Sequence, residues 1–141
     1  MSFKLYSEIL EEFHQMQTKK ERIEVLRKYE SQRFRTFLEY CFNPDIKFDV
    51  TVAPYKASLN PAGLNELYID GEIGKFYRFI QDHPQRTAGF GGKKQENILT
   101  AMMESFHKDE AELVTRMINK NLSIPFLTPV LLREAYPNIN L

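Results

Sequence analysis

The fold is decided by two helical stretches, Lys93-Lys-Gln-Glu-Asn-Ile-Leu-Thr-Ala-Met-Met-Glu-Ser-Phe106 and Asp109-Glu-Ala-Glu-Leu-Val-Thr-Arg-Met-Ile-Asn-Lys120. In both, large apolar residues recur every three or four positions, which is the spacing of one face of an α-helix. Thr128 and Pro129 follow, and they suit the cap and the first position of another helix. These stretches predict three helices, each packed through one apolar face.

The N-terminal part of the chain has the same periodicity. The first apolar stripe consists of Leu5, Ile9, Phe13 and Met16. Thr18 and Glu21 have the spacing of a capping box for a second helix, and Ser31 can cap a third that ends before Pro44. A further helix is predicted from Glu72 to Gln81, because its apolar residues again fall on one face.

Residues 43–71 interrupt this pattern. Prolines and glycines punctuate the segment, and Phe48 to Val52 alternates weakly, as a short extended piece would. The segment is too apolar for a free linker, so we expect an ordered connection laid over the helices. Its apolar residues include Tyr55, Leu59, Leu64, Leu67 and Tyr68. The prediction is an all-α fold: a single compact helical domain over residues 1–141, with about seven helices and one long ordered loop at about 43–71.

Composition limits the classes of function. The 141 residues include 19 basic and 19 acidic side chains, so the formal net charge is zero. A neutral total argues against an indiscriminate nucleic-acid binder but permits a local basic patch. The single cysteine, Cys41, lies on an apolar helical face, which predicts a buried structural thiol. No signal peptide or membrane-length apolar run is visible, so we expect an intracellular protein without a membrane partner.

The sequence indicates no catalytic or metal site. His14, His83 and His107 are far apart, and no second cysteine accompanies Cys41. No acid, base and nucleophile converge, so neither an enzyme nor a cofactor is expected. The acids that follow His107 favour a helix N-terminus, and helix polarity explains them without catalysis.

A glycine-rich basic loop is the candidate binding site. It reads Arg86-Thr-Ala-Gly-Phe-Gly-Gly-Lys-Lys94 and lacks the Gly-Lys-Ser/Thr ending of a nucleotide-binding P-loop. Two readings stay open. The glycines can simply allow a tight turn beside solvated lysines, or the loop can approach a phosphodiester while Arg86, Lys93 and Lys94 neutralise it. The loop's candidate residues are Arg86, Thr87, Gly89, Gly91, Gly92, Lys93 and Lys94. Phe90 can stack against bases or plug the core.

A second basic concentration lies near the N-terminus. It consists of Lys19, Lys20, Arg22, Arg27 and Lys28. Glutamates interleave with these cations, and Glu24 and Lys28 have the spacing of a surface ion pair. A solvated helix face is the prediction here.

Four segments and the loop that begins at Arg86 carry a resemblance to a known family. The segments are Leu5 to Phe13, Thr18-Lys-Lys-Glu-Arg-Ile-Glu-Val-Leu26, Leu113-Val-Thr-Arg-Met-Ile-Asn-Lys-Asn-Leu122 and Leu132-Arg-Glu-Ala-Tyr-Pro-Asn-Ile139. In order and pattern they resemble the N-terminal DNA-binding domain of T4-type phage ATP-dependent DNA ligases. Small uncharacterised proteins of T4-like phages look similar too. The resemblance implies a helical module that grips duplex DNA through backbone contacts across the minor groove. In it, Arg86, Thr87, Gly89, Lys120 and Asn121 match positions that approach phosphates.

Two departures from the family limit what carries over. Ligases need a Lys-x-Asp-Gly lysine that takes up AMP, whereas the Asp70-Gly71 pair here has Tyr68 at that place, and a phenol cannot form the phosphoramidate. Ligation by this chain alone is therefore excluded. Pro125 and Phe126 also stand where the ligase turn is small and polar.

Two functions are expected on this basis. The first is a non-catalytic phage protein that binds duplex DNA through phosphate contacts, in the cytoplasm of the infected host cell or in the virion. The alternative is a phage protein–protein interaction module, such as an adaptor, a host-factor inhibitor or a minor virion component. The neutral charge and the aromatic loop between Tyr55 and Tyr68 favour the alternative. DNA binding requires Arg86, Lys93 and Lys120 to lie together and free of carboxylates.

Overall fold

A computed structural model describes residues 4–86 and 91–141. Its helices are α1 (Tyr6–Gln15), α2 (Lys19–Lys28), α3 (Gln32–Phe42), α4 (Ile69–Glu72), a 3-10 helix (Ile73–Phe79), α5 (Gly92–Ser105), α6 (Lys108–Ile118) and α7 (Pro129–Ala135). Within these ranges the extended structure is limited to one isolated antiparallel bridge, between Phe48 and Ile80. The prediction of a compact all-α domain with about seven helices is confirmed.

Local capping fixes where several helices begin. The Thr18 hydroxyl accepts the Glu21 amide at 3.1 Å, and the Glu21 carboxylate accepts the Thr18 amide in return. The Ser31 hydroxyl accepts the Phe34 amide and the Thr128 hydroxyl accepts the Leu131 amide, so they cap α3 and α7 without a returning bond. Pro129 takes the first position of α7. These bonds satisfy amides that the first helical turn leaves without partners. All three predicted caps are confirmed.

The core is built around α6, which packs against α1, α3 and α5. Aromatic rings fill much of the space between these helices, and six of them are completely buried. They are Phe13, Phe34, Phe37, Phe76, Phe79 and Phe106. At the other end of the chain, the Tyr136 hydroxyl donates to the Leu26 carbonyl and so holds the end of α7 against α2.

The helix predicted over Glu72 to Gln81 is partly wrong. A short α-helix passes into the 3-10 helix, and the chain leaves helical geometry at Ile80. The bridge to the preceding segment explains this early end. The Asp49 amide donates to the Phe79 carbonyl at 2.9 Å, and the Gln81 amide donates to the Lys47 carbonyl at 2.7 Å. Long-range pairing therefore replaces the last helical turn.

The long loop lies on the helices only in part. Val52, Tyr55 and Leu67 pack against the core, as expected. Leu59 and Leu64 do not, since they are 94% and 69% exposed. The expectation that the apolar residues of this loop cover the helices is wrong for these two leucines.

Candidate functional site

Arg86 is held inside the fold. Its Nη1 atom lies 2.6 Å from the Asp49 carboxylate and also donates to the Ile80 carbonyl. Asp49 accepts a second bond, at 3.1 Å, from the Gln95 side chain on α5. The Arg86 side chain is only 15% exposed. It therefore joins the bridge segment, the turn after the 3-10 helix and α5, which is a structural role.

The ionisation of Asp49 reflects this arrangement. Partial burial by itself would raise the pKa of Asp49, because it disfavours the charged form. The hydrogen bonds from Arg86 and Gln95, together with the arginine charge, outweigh burial and hold the pKa below its usual range. The carboxylate thus stays ionised beside Arg86 and neutralises it.

Lys120 is also engaged, at the end of α3. Its ammonium group donates to the carbonyls of Tyr40 and Asn43, the latter at 2.8 Å. These carbonyls lie at the negative end of the helix dipole, where a cation is favourable. Burial lowers the pKa of Lys120 below its usual value. Hydrogen bonds to two carbonyl acceptors are the kind of contact that favours the charged ammonium. The cation expected at a phosphate caps a helix instead.

The start of α5 is the part of the candidate site that stays accessible. Gly91 occupies the N-cap position without a capping side chain, and Gly92 has φ of 60°, a left-handed conformation that favours glycine. Lys93 pairs with Glu96 at 3.3 Å. Lys94 is exposed and makes no hydrogen bond or ion pair with any residue the structure describes.

The remaining candidates add no cation to this surface. Thr87 and Gly89, like Phe90, lie outside the described residues. The Asn121 amide oxygen accepts a bond from the Ser123 hydroxyl, and its main-chain amide donates to the Arg116 carbonyl. The structure therefore does not leave Arg86 and Lys120 available as free phosphate ligands.

Other cations of the predicted basic stretch have partners as well. Lys75 lies 3.4 Å from the Glu72 carboxylate. The Arg78 guanidinium donates to the Lys75 carbonyl and contacts the Met102 sulfur at 3.6 Å. Within the described residues, Lys94 is the exception in the stretch from Lys75 to Lys94.

Glu110 is a buried carboxylate that the sequence did not single out. It has no exposed surface, and its two oxygens accept the main-chain amides of Tyr6 at 2.9 Å and Ile69 at 3.0 Å. Both amides belong to the first residues of helices, α1 and α4, and Glu110 itself lies in the first turn of α6. One carboxyl group thus caps two helix N-termini from the start of a third. In sequence it is one of several acids after His107, and no local pattern marks it.

Burial controls the ionisation of Glu110. It raises the pKa from 4.5 to about 7, although the two amide hydrogen bonds act in the opposite direction. The nearby carboxylates of Asp70 and Glu8 raise it further. Since both oxygens are occupied and no surface reaches solvent, we assign Glu110 to the fold and not to a reaction.

A broad cleft of about 920 Å³ opens between α1 and α6. Its carboxylates are Glu8, Glu11, Glu12, Asp109 and Glu112. Lys4 and Arg116 also line it, and Arg116 is paired with Glu112 at 3.3 Å. An excess of negative charge in a concave surface repels a polyanion and attracts cationic groups.

Exposed apolar residues lie close in sequence to two residues of the cleft lining. Ala62 stands between the exposed Leu59 and Leu64 in the chain, and Pro125 directly precedes Phe126. Phe126 and Val130 are 63% and 70% exposed. They belong to a smaller groove between α2 and α7, where the Arg22 guanidinium lies 3.8 Å from the centre of the Phe126 ring. The one signal of this groove in the sequence was the bulky Phe126 in a turn expected to be small and polar.

The described part of the chain contains no helix long and apolar enough to cross a membrane. In the same residues, no group of three or more histidine, cysteine, aspartate or glutamate side chains is arranged to hold a metal ion.

Fold and surface together define an all-α domain whose concave face is acidic. The chain belongs to the family of unknown function DUF6433, whose sequence model matches residues 9–124. The matched span runs from α1 through α6 and ends before Phe126 and α7. No curated protein and no solved structure matches the chain.

Proposed function

We propose that this protein is a non-catalytic protein-interaction module that binds its partner through the surface around the acid-lined cleft. The observation that carries the proposal is the exposure of four large apolar side chains in the two chain segments that contribute Ala62 and Pro125 to the cleft. They are Leu59, Leu64, Phe126 and Val130. Phe126 and Val130 line one groove together, and apolar side chains that cluster on a surface mark sites that another protein covers.

The charge distribution supports a protein partner over DNA. Arg86 is neutralised by Asp49, and Lys120 is committed to carbonyls. The concave surface that a ligand would enter is lined by carboxylates. Nucleic-acid affinity comes mainly from free cations that replace counterions on phosphates. This chain places few such cations together in its described residues.

An affinity capture with a matched pair of variants tests the proposal. The protein is immobilised and exposed to nuclease-treated lysate of infected host cells. A partner should be retained by the wild type and lost by the Leu59→Ser/Leu64→Ser variant. Both leucines are exposed, so these changes should leave stability nearly unaltered.

The control is the Lys56→Ser/Glu66→Ser variant, which changes two exposed residues of the same loop. It should retain the partner as the wild type does. Capture that disappears after nuclease treatment, or that survives in the leucine variant as fully as in the control, would contradict the proposal.

Duplex DNA binding is the second candidate, favoured by one observation. The N-terminus of α5 has no capping side chain, and Lys93 and Lys94 follow it. Helix N-termini of this kind suit phosphate groups, and the resemblance to ligase DNA-binding domains points the same way. A gel-shift titration at several salt concentrations decides it. If this candidate holds, Lys93→Ala/Lys94→Ala should make the plot of log binding constant against log salt concentration less steep, by the amount expected for the loss of about two phosphate contacts.

The matched control for the DNA experiment is Lys20→Ala/Lys108→Ala, which removes the same charge from exposed positions elsewhere. Equal loss of affinity in both variants would indicate that DNA is attracted by the overall charge of the protein and not by a site at the start of α5. No binding by the wild type at physiological salt would leave the protein-interaction module as the function.

A further inference from the structure

We propose that the groove between α2 and α7, defined by Arg22, Phe126, Val130 and Leu131, docks an acidic segment of the partner protein that carries a large apolar side chain. The proposal rests on the proposed function and names the chemistry of the segment bound. Three independent features of the groove support it: its apolar walls, its charge and the backbone of Phe126.

The walls of the groove are apolar. Phe126 and Val130 are exposed to solvent, whereas Leu131 is buried, and the groove volume of about 270 Å³ is small. This size suits one or two side chains of a partner and not an extended surface. Large exposed aromatic residues beside an arginine are typical of the residues that dominate protein interfaces.

The charge of the groove selects an acidic partner. Lys19 and Glu134 line it and pair with each other at 2.8 Å, so their charges cancel. The Arg22 guanidinium lies over the Phe126 ring and donates to the Met16 carbonyl at 3.3 Å. It forms no ion pair with a carboxylate in the part of the chain that the structure describes. Arg22 is therefore the uncompensated charge of the groove, with guanidinium donors left for a partner's carboxylate.

The backbone of Phe126 suggests that its side chain is kept for binding. Its φ is 70°, in the left-handed region that bulky residues rarely adopt. Glycine would fit this conformation without strain, and no tight core packing requires the ring, since it is mostly exposed. A strained residue that holds an exposed aromatic ring in place is better explained by a bound partner than by folding.

The experiment uses two labelled peptides and measures fluorescence anisotropy. One peptide is Glu-Asp-Leu-Phe-Glu-Asp, and the other has lysine in place of each acid. The acidic peptide should bind the wild-type protein and the basic peptide should not. Phe126→Gly should weaken binding of the acidic peptide about tenfold or more, while its thermal midpoint stays the same or rises because the strain is relieved.

Two further variants separate binding from stability. Asp82→Gly relieves the same kind of strain, since Asp82 has φ of 61°, but it lies in the turn after the 3-10 helix and not in the groove. It should bind the acidic peptide as the wild type does. Arg22→Gln should weaken acidic-peptide binding and reduce its salt dependence, because the guanidinium charge is lost.

The outcomes are distinguishable from those of the affinity capture. No binding of the acidic peptide, equal binding of both peptides, or full binding by Phe126→Gly would overturn the assignment of this groove. A partner still captured through Leu59 and Leu64 in that case would leave the proposed function standing. If the wild type captures no partner but binds the acidic peptide as expected, the assignment of the groove stands and the proposed function is overturned.

Discussion

At the scale of single residues, charged side chains decide more of this fold than its neutral composition suggests. Glu110 caps two helices from inside the core, Lys120 caps a third, and Arg86 joins distant segments. Each such contact satisfies polar groups that would otherwise be costly to bury. The main role of these three residues is therefore to stabilise the fold.

Glu110 predicts a specific dependence of stability on pH. In the unfolded chain this carboxyl group ionises near pH 4.5, whereas in the fold its pKa is about 7. Between these values the folded state holds a proton that the unfolded chain has released, so stability falls as the pH rises from 4.5 to about 7. The loss from this group is about 3 kcal/mol. Urea unfolding at several pH values measures it.

Replacing Glu110 by glutamine removes this titration. Glu110→Gln should be less stable than the wild type at pH 5, by about 1 to 3 kcal/mol, because its amide nitrogen faces a main-chain donor. The deficit should shrink as the pH rises towards 8, since only the wild type pays for ionisation there. Glu112→Gln, an exposed neighbour, is the control and should keep the wild-type slope. A slope that persists unchanged in Glu110→Gln would refute the assignment.

Replacing Lys120 should lower stability, whereas replacing the exposed Lys94 should not. Lys120→Ala removes both bonds to the α3 carbonyls and leaves its left-handed backbone in place, with φ of 56°. We expect destabilisation of about 1 to 3 kcal/mol. Lys94→Ala should change stability by less than about 0.5 kcal/mol. Thermal unfolding of both variants measures the difference, and equal midpoints would contradict the structural role of Lys120.

At the scale of elements, α2 is held both by packing and by its cap. Val25 and Leu26 are its buried residues, and the capping box satisfies amides at its first turn. The ion pair expected between Glu24 and Lys28 is not the one formed, because Lys28 pairs with Glu12 of α1 at 3.5 Å. Packing brought a different carboxylate closer.

The cap of α2 gives the prediction at this scale. Thr18→Ala should lower the free energy of unfolding by about 1 kcal/mol, since the Glu21 amide loses its acceptor. Thr36 is a suitable control because its hydroxyl bonds to the Gln32 carbonyl within α3 and caps no helix. Thr36→Ala should be neutral or slightly stabilising. Chemical denaturation compares them, and equal losses would show that the capping box adds nothing.

At the scale of the whole molecule, the Arg86–Asp49 pair fastens the bridge segment to α5 and the 3-10 helix. Arg86→Gln should therefore lower the thermal midpoint and leave peptide binding in the α2–α7 groove unaltered. The pKa of Asp49 lies below its usual range, so the stability it contributes is present above about pH 4 and is lost as the pH falls through its folded pKa. The difference in thermal midpoint between Arg86→Gln and the wild type should therefore become smaller in acid. A midpoint difference that stays constant down to pH 2 would contradict the link between Asp49 ionisation and the Arg86 ion pair.

The sequence by itself determined the elements whose causes are local. Apolar periodicity and the caps at Thr18, Ser31 and Thr128 act over three or four residues, so they can be recognised directly from the sequence. The same holds for the all-α class.

Only the tertiary structure decided which charges are free. Arg86 meets Asp49 from 37 residues away, Lys120 meets Asn43 from 77, and Glu110 meets Tyr6 from 104. No local pattern encodes such pairs, because the neighbours of a charge depend on how helices distant in sequence pack together. The basic loop suggested a phosphate site, whereas packing committed its arginine to a carboxylate and left apolar side chains facing the solvent.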